Sequence, residues 1–172
     1  MSLAASLIPQ FDQVVEGTRK LLESIPDDRL DWKPHEKSYT IGELGSHLAN
    51  IPGWATPTIT QDELDVAPPD AGDDAPAVQE EFDSSAAMVA ALDESAAAAR
   101  AAIEDASDET LNGMWTLLVA GEEKFTLPKI AVLRSFVLDH MIHHRGQMTV
   151  YLRLLDVPVP QTMGPTADFP EF

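Results

Sequence analysis

Apolar residues recur at Leu7, Phe11, Val14, Val15, Leu21, Leu22 and Ile25, with Thr18 on the same stripe. Intervals of three and four predict an amphipathic helix over 6–24. Pro9 is placed in its first turn, where a missing N–H costs nothing. Pro26-Asp27-Asp28 ends it, and a polar connection holding Leu30, Trp32 and Pro34 follows. Thr40, with Glu43 three residues on, reads as a capping box. It opens a second helix, 41 to about 62, along which Ile41, Leu44, His47, Leu48, Ile51 and Trp54 recur. Pro52 and Pro57 predict kinks or an early stop.

The stretch 65–85 carries Pro68-Pro69, Gly72, Asp73-Asp74 and Pro76 and reads as a loop of about 20 residues. Ser84 or Ser85 caps a third helix, 86 to about 105, rich in Ala, with Met88, Leu92 and Ile103 as its larger contacts. Residues 114–119 and 124–127 are β-rich on either side of Ala120-Gly121-Glu122-Glu123, which predicts a small hairpin. Pro128 starts the fourth helix at its first position. Ile130, Leu133, Val137, His140, His144, Met148, Tyr151 and Leu155 trace one side of it, and Asp156-Val157-Pro158 ends it. The remainder, 157–172, is expected to run extended across the helices. The reading is all-α: four helices in a single domain over 1–172, with a β-hairpin between the third and the fourth.

Composition narrows the function. The 172 residues include 29 acidic and 11 basic side chains, for a net charge of −18. Nucleic acid and anionic membranes need clustered Lys and Arg, so neither is an expected partner. Hydrophobic residues make up 44%, too many for a disordered acidic tail. There is no Cys, which excludes disulfides, thiolate ligands and a protein thiol nucleophile. No apolar run is long enough for a membrane span and no signal peptide is visible, so a cytoplasmic protein is expected.

The histidines carry the chemistry. His140 and His144 are four residues apart, about 40° around a helix, and leave one face a turn apart. That is the placement two ligands of one metal ion require. His47 falls on or beside the apolar face of the second helix, with Glu43, Asn50 and Trp54 within about 60° of it. Three neutral imidazoles leave a divalent ion with an open position for water or thiol. Zn is the first choice, and Ni or Fe also suit three imidazoles. Gln147 and Tyr151 continue the His140–His144 face, and Gln147 could orient a ligand. His143 reads as a boundary histidine, and His35 lies in a polar loop. Arg145 points away from the metal face and reads as a surface or interface ion-pairing residue. Trp54 is read as core, and Glu43 as a capping residue with a lesser claim to general-base work. No catalytic residue is assigned.

The segment His140-x-x-His143-His144-Arg145-Gly146-Gln147, with Tyr151-Leu152-Arg153 and Val157-Pro158-Val159-Pro160 after it, resembles the closing helix of the DinB/YfiT-like metalloenzymes. Leu22-x-x-Ile25-Pro26, Trp32-Lys33-Pro34 and Ile41-Gly42-Glu43-Leu44-x-x-His47-Leu48 are similar to that family's first half. The resemblance implies a four-helix bundle with an up-down-down-up-like arrangement, usually homodimeric. It implies a divalent metal on three His, which by position are His47, His140 and His144. It also implies thiol-dependent chemistry: transfer of a low-molecular-weight thiol to a small electrophile, or thiol-assisted isomerisation, in a detoxification role. The absence of Cys fits a sulfur nucleophile supplied by a co-substrate. Two other readings stand beside it: a hydrolase using metal-activated water, and a non-enzymatic metal-binding dimeric bundle.

Overall fold

Ser2 sets the start of α1, Leu3–Glu23, its hydroxyl accepting from the Ala5 N–H. The computed structural model describes residues 2–69 and 80–171. Because α1 begins this early, Pro9 lies well inside it rather than in the first turn, on an exposed face. The buried face is the predicted one: Leu7, Phe11, Val14, Thr18, Leu21 and Leu22. Thr18 satisfies its buried hydroxyl on Val14 O at 2.8 Å.

Both bonds of the capping box at Thr40 and Glu43 are present and open α2, Ile41–Asn50. Pro52 then forces the early stop. A 3₁₀ turn, Ile51–Trp54, leads into a short α3, Ala55–Thr60. The expected second helix is therefore two helices, and a strand β1, Glu63–Asp65, follows them. Of the expected 65–85 loop, 70–79 lies outside the described residues. Ser84 caps α4, Ser85–Asp105, which buries Met88, Leu92, Ala96, Ala99 and Ile103. A short α5, Asp108–Asn112, is capped by Ser107; sequence periodicity is too brief there to predict it.

The expected hairpin is β2, Met114–Val119, and β3, Glu122–Pro128. Pro128 ends the strand instead of starting the helix. Ala120 and Gly121 make the turn with φ of 55° and 76°, the doubly positive conformation of a two-residue hairpin. A third strand was not foreseen. β1 pairs in parallel with β2, Leu64 beside Leu117, so the sheet runs β1-β2-β3. Asp65 on β1 fixes the turn, its carboxylate accepting from Ala120 N at 3.0 Å and Gly121 N at 2.7 Å.

The last long segment is continuous but not uniform. It consists of α6, Lys129–Val132, a π-helical turn, Leu133–Leu138, and α7, Asp139–Leu154. The Asp139 N–H reaches back five residues to Arg134 O. One extra residue in that turn rotates α7 by about 100° relative to α6.

α1 packs on α4 and α7, and α2 packs on the same two helices. Two glycines let these helices close. A Cβ on Gly45 would stand 2.6 Å from Met88 Sδ, and one on Gly17 would stand 2.6 Å from Arg145 Nη2. Arg145 is thus not at the surface as expected. It is buried between α7 and α1, donates to Val14 O at 3.3 Å and makes no ion pair among the described residues. Burial lowers its pKa from the ordinary arginine value. Lys129 is also buried; its ammonium donates to Ile59 O at 3.0 Å, Gln61 O at 2.7 Å and Asp62 Oδ1 at 3.2 Å. It ties the end of α3 and the approach to β1 to the start of α6. In the C-terminal tail, Val159 reaches the core, and Asp168 accepts from Val159 N at 2.9 Å while pairing with Arg153. Among the described residues, no helix is long and apolar enough to cross a membrane.

Gly17→Ala weighs a helix-propensity gain of about 1 kcal/mol against an overpacking cost of about 1–3 kcal/mol. The guanidinium of Arg145 is buried and bonded to Val14 O, so displacing it costs that contact, and a net loss of stability is expected on urea unfolding. Lys129→Met leaves buried carbonyls without a donor and should cost about 1–3 kcal/mol in the same assay.

Candidate metal centre

His47 stands on the last turn of α2, and His140 and His144 on consecutive turns of α7. α2 packs against α7, and the three rings converge with centroids 4.5, 4.6 and 5.0 Å apart, His47 standing T-shaped to both others. One ligand nitrogen from each lies within 4.8 Å of the others. Nε2 of His47 and Nε2 of His140 are 3.3 Å apart. Two nitrogens bound at about 2.05 Å to one tetrahedral ion are separated by about 3.3 Å, so this pair already has the spacing of a shared metal.

Hydrogen bonds orient two of the rings. His144 Nδ1 donates to Gln147 Oε1 at 2.6 Å. His140 Nδ1 donates to the Phe136 carbonyl, in the π turn, at 3.3 Å. Each bond holds the ring proton on Nδ1 and leaves the Nε2 lone pair for a ligand role. The environment also keeps these rings neutral. Burial lowers the His144 pKa from 6.5 to about 4, outweighing its bond to Gln147, and the neighbouring His47, His140 and His143 push the same way. Burial lowers that of His140 as well. Three converging imidazoles, two of them held neutral by burial with the Nδ1 proton bonded elsewhere, fit a divalent ion.

The other expected residues fall into place around this centre. Gln147 has the orienting role foreseen for it, but from an exposed position. Tyr151 does not join the cluster; its hydroxyl donates to Tyr39 O at 3.2 Å. His143 is exposed beside the site, its ring 4.9 Å from that of His144. His35 is exposed and accepts from Lys37 N at 3.2 Å. Glu43 is taken up by the capping box, its carboxylate 2.6 Å from Thr40 N, which leaves it badly placed as a base.

Sequence reasoning missed what lies beside the metal centre. His47 and His140 form one side of a pocket of about 110 Å³. Trp54, Trp115, Leu117, Phe125 and Phe136 form most of the rest. Phe136, from the π turn, stacks on Phe125, from β3, with centroids 4.9 Å apart and planes 16° off parallel. Trp54 is therefore pocket wall as well as core packing. The aromatic side chains of the hairpin were visible in the sequence; their approach to His47 depends on β1, which was not.

A mostly helical chain with a small sheet and a three-histidine cluster of this geometry is a candidate metalloprotein. The chain belongs to the DinB family, whose model matches residues 1–171. It is 28% identical over 155 residues to the uncharacterized protein YrdA of Bacillus subtilis strain 168, covering 89% of this chain and 83% of YrdA. Its fold is similar to that of a DinB-like protein from Bacillus cereus ATCC 10987, at a TM-score of 0.64 and 22% identity over 87% of this chain and 91% of that one. It is also similar to the DinB-like protein YjoA of Bacillus subtilis, at a TM-score of 0.68 and 20% identity over 91% and 96% of the two chains.

Gln147→Ala should weaken zinc binding by about 10–100-fold, read by competition with a chromophoric chelator. Gln147→Glu, which places a carboxylate on the same ring proton, should restore or exceed the original affinity. For the metal-free protein, the unfolded chain protonates His144 near 6.5 and the folded one only near 4. The unfolded state therefore binds more protons in that window, and stability falls as pH drops through it. His144→Gln should flatten this acid limb in urea unfolding at pH 7 and pH 5.

Proposed function

We propose that this chain is a divalent-metal-dependent enzyme that transfers a low-molecular-weight thiol to a small electrophile, or uses the thiol to isomerise one. It works on a four-helix bundle of α1, α2, α4 and the segment 129–154. The observation that carries the reading is the position of the histidine cluster, which forms one side of an apolar pocket. A purely structural ion has no use for that pocket. His47, His140 and His144 would hold the ion, which supplies Lewis acidity and lowers the pKa of a thiol or water that joins it. Gln147 and the Phe136 carbonyl keep the imidazole protons off the ligand nitrogens. Trp54, Phe125 and Phe136 exclude water from the neighbouring space, which protects an electrophile from hydrolysis.

The hydrolase reading is less well supported, because Glu43 is bound into the helix cap and no other carboxylate joins the cluster among the described residues. Zinc is the first choice of ion and nickel or iron the alternatives. Val150 and Leu154, exposed on α7, offer an apolar surface that suits the homodimer the family resemblance implies.

Metal analysis by mass spectrometry on untagged protein is the first test. About one equivalent of Zn, Ni or Fe is expected in the wild type and none in His144→Ala. Screening the loaded protein with model electrophiles should then give turnover only when a thiol is added. Turnover without thiol would replace this reading with hydrolysis, and metal without any turnover would favour a binding role.

A further inference from the structure

His140 rests on a weaker support than His144. The Gln147 amide oxygen stands 2.6 Å from His144 Nδ1, but the Phe136 carbonyl stands 3.3 Å from His140 Nδ1. That is the long end of hydrogen bonding, and about 0.3 Å more would end it. Whatever fixes this carbonyl therefore also fixes the tautomer and aim of His140.

The carbonyl belongs to an irregular part of the backbone. Phe136 is 38% exposed and lies in the π turn, between the buried pairs Val132–Leu133 and Val137–Leu138. Its ring leaves the helices and stacks on Phe125 of β3, nearly parallel to it. Phe125 in turn is held in register opposite Leu117 of β2, with its ring 6.2 Å from that of Trp115. Both phenylalanines and His140 border the same pocket. The sheet thus reaches His140 through two rings and one peptide group. Apolar packing alone does not require rings at 125 and 136, since leucines would cover similar surface. A stacked pair adds a fixed mutual orientation that aliphatic side chains lack.

We infer that Phe125 and Phe136 are positioning residues of the histidine cluster: their stack holds the Phe136 carbonyl against His140 Nδ1, which keeps the Nε2 lone pair of His140 facing His47. That the cluster holds a metal rests on the function proposed above. The placement of the His140 proton does not, and it is read in metal-free protein.

The full chain, labelled with ¹⁵N at its histidines, is compared as wild type, Phe125→Leu, Phe136→Leu and Phe125→Tyr. All four keep the Phe136 carbonyl, so the ring contact is what differs. Long-range ¹H–¹⁵N spectra in chelator at pH 8 report which nitrogen of each imidazole carries the proton. His140 and His144 are assigned by the loss of their signals in His140→Gln and His144→Gln. The wild type should carry the proton on Nδ1 of both. Each leucine variant should move part of the His140 proton to Nε2 and leave His144, held by Gln147, unchanged. Phe125→Tyr, which keeps a stacking ring, should match the wild type. Zinc affinity, read by competition with a chromophoric chelator, should fall about two- to tenfold in both leucine variants, the range one aromatic pair can transmit, and hold in Phe125→Tyr. If one leucine variant does not fold, the other decides. An unmoved His140 proton, equal changes at His140 and His144, or leucine-like behaviour of Phe125→Tyr would each overturn the inference. The His140 shift in a protein that binds no zinc would support the positioning role while removing the metal-dependent reading.

Discussion

Three imidazoles can share a space this small only if they are neutral or bridged by a cation. That constraint organises the site. Positive charge on His47 and on either ring of α7, at centroid separations of 4.5 and 5.0 Å, would push α2 and α7 apart. Burial suppresses protonation, and the bonds to Gln147 and to the Phe136 carbonyl choose the tautomer. The metal-binding geometry and the packing of two helices are therefore one problem. What makes the cluster tolerable to the fold also leaves nitrogen lone pairs free of protons and open to an ion.

Much of this was legible in the sequence. The i,i+4 spacing of His140 and His144 fixes their shared face wherever the helix lies. The inward position of His47 follows from its neighbours Leu44, Leu48 and Ile51, all buried as expected. The capping box at Thr40 and the stripe of α1 are local features, written in consecutive residues. Family-level motifs at both ends of the chain pointed to the same three histidines.

What was not legible depends on distant partners or on backbone hydrogen bonding. Arg145 looked like a surface residue because an arginine is usually charged and solvated; Gly17, 128 positions earlier in the chain, provides the space that buries it. β1 has only three residues, too few for any alternation, and exists because β2 offers it an edge. The π turn leaves no periodic mark beyond a slip in the apolar stripe, which passes from Val132 and Leu133 to Val137, Leu138 and Met141. Without β1 and the π turn, the sequence could place the three histidines but not the pocket beside them.

The three-stranded sheet has an evolutionary consequence. The three histidines stand on α2 and α7, in the tightly packed helical core, while Trp115 and Leu117 stand on a strand attached at its side. Asp65 closes the hairpin turn through backbone N–H groups alone, whatever side chains the strands carry. The pocket wall can therefore change by replacing these strand residues one at a time, with the histidine cluster left in place. A scaffold divided in this way can vary the shape of its pocket faster than the cluster beside it.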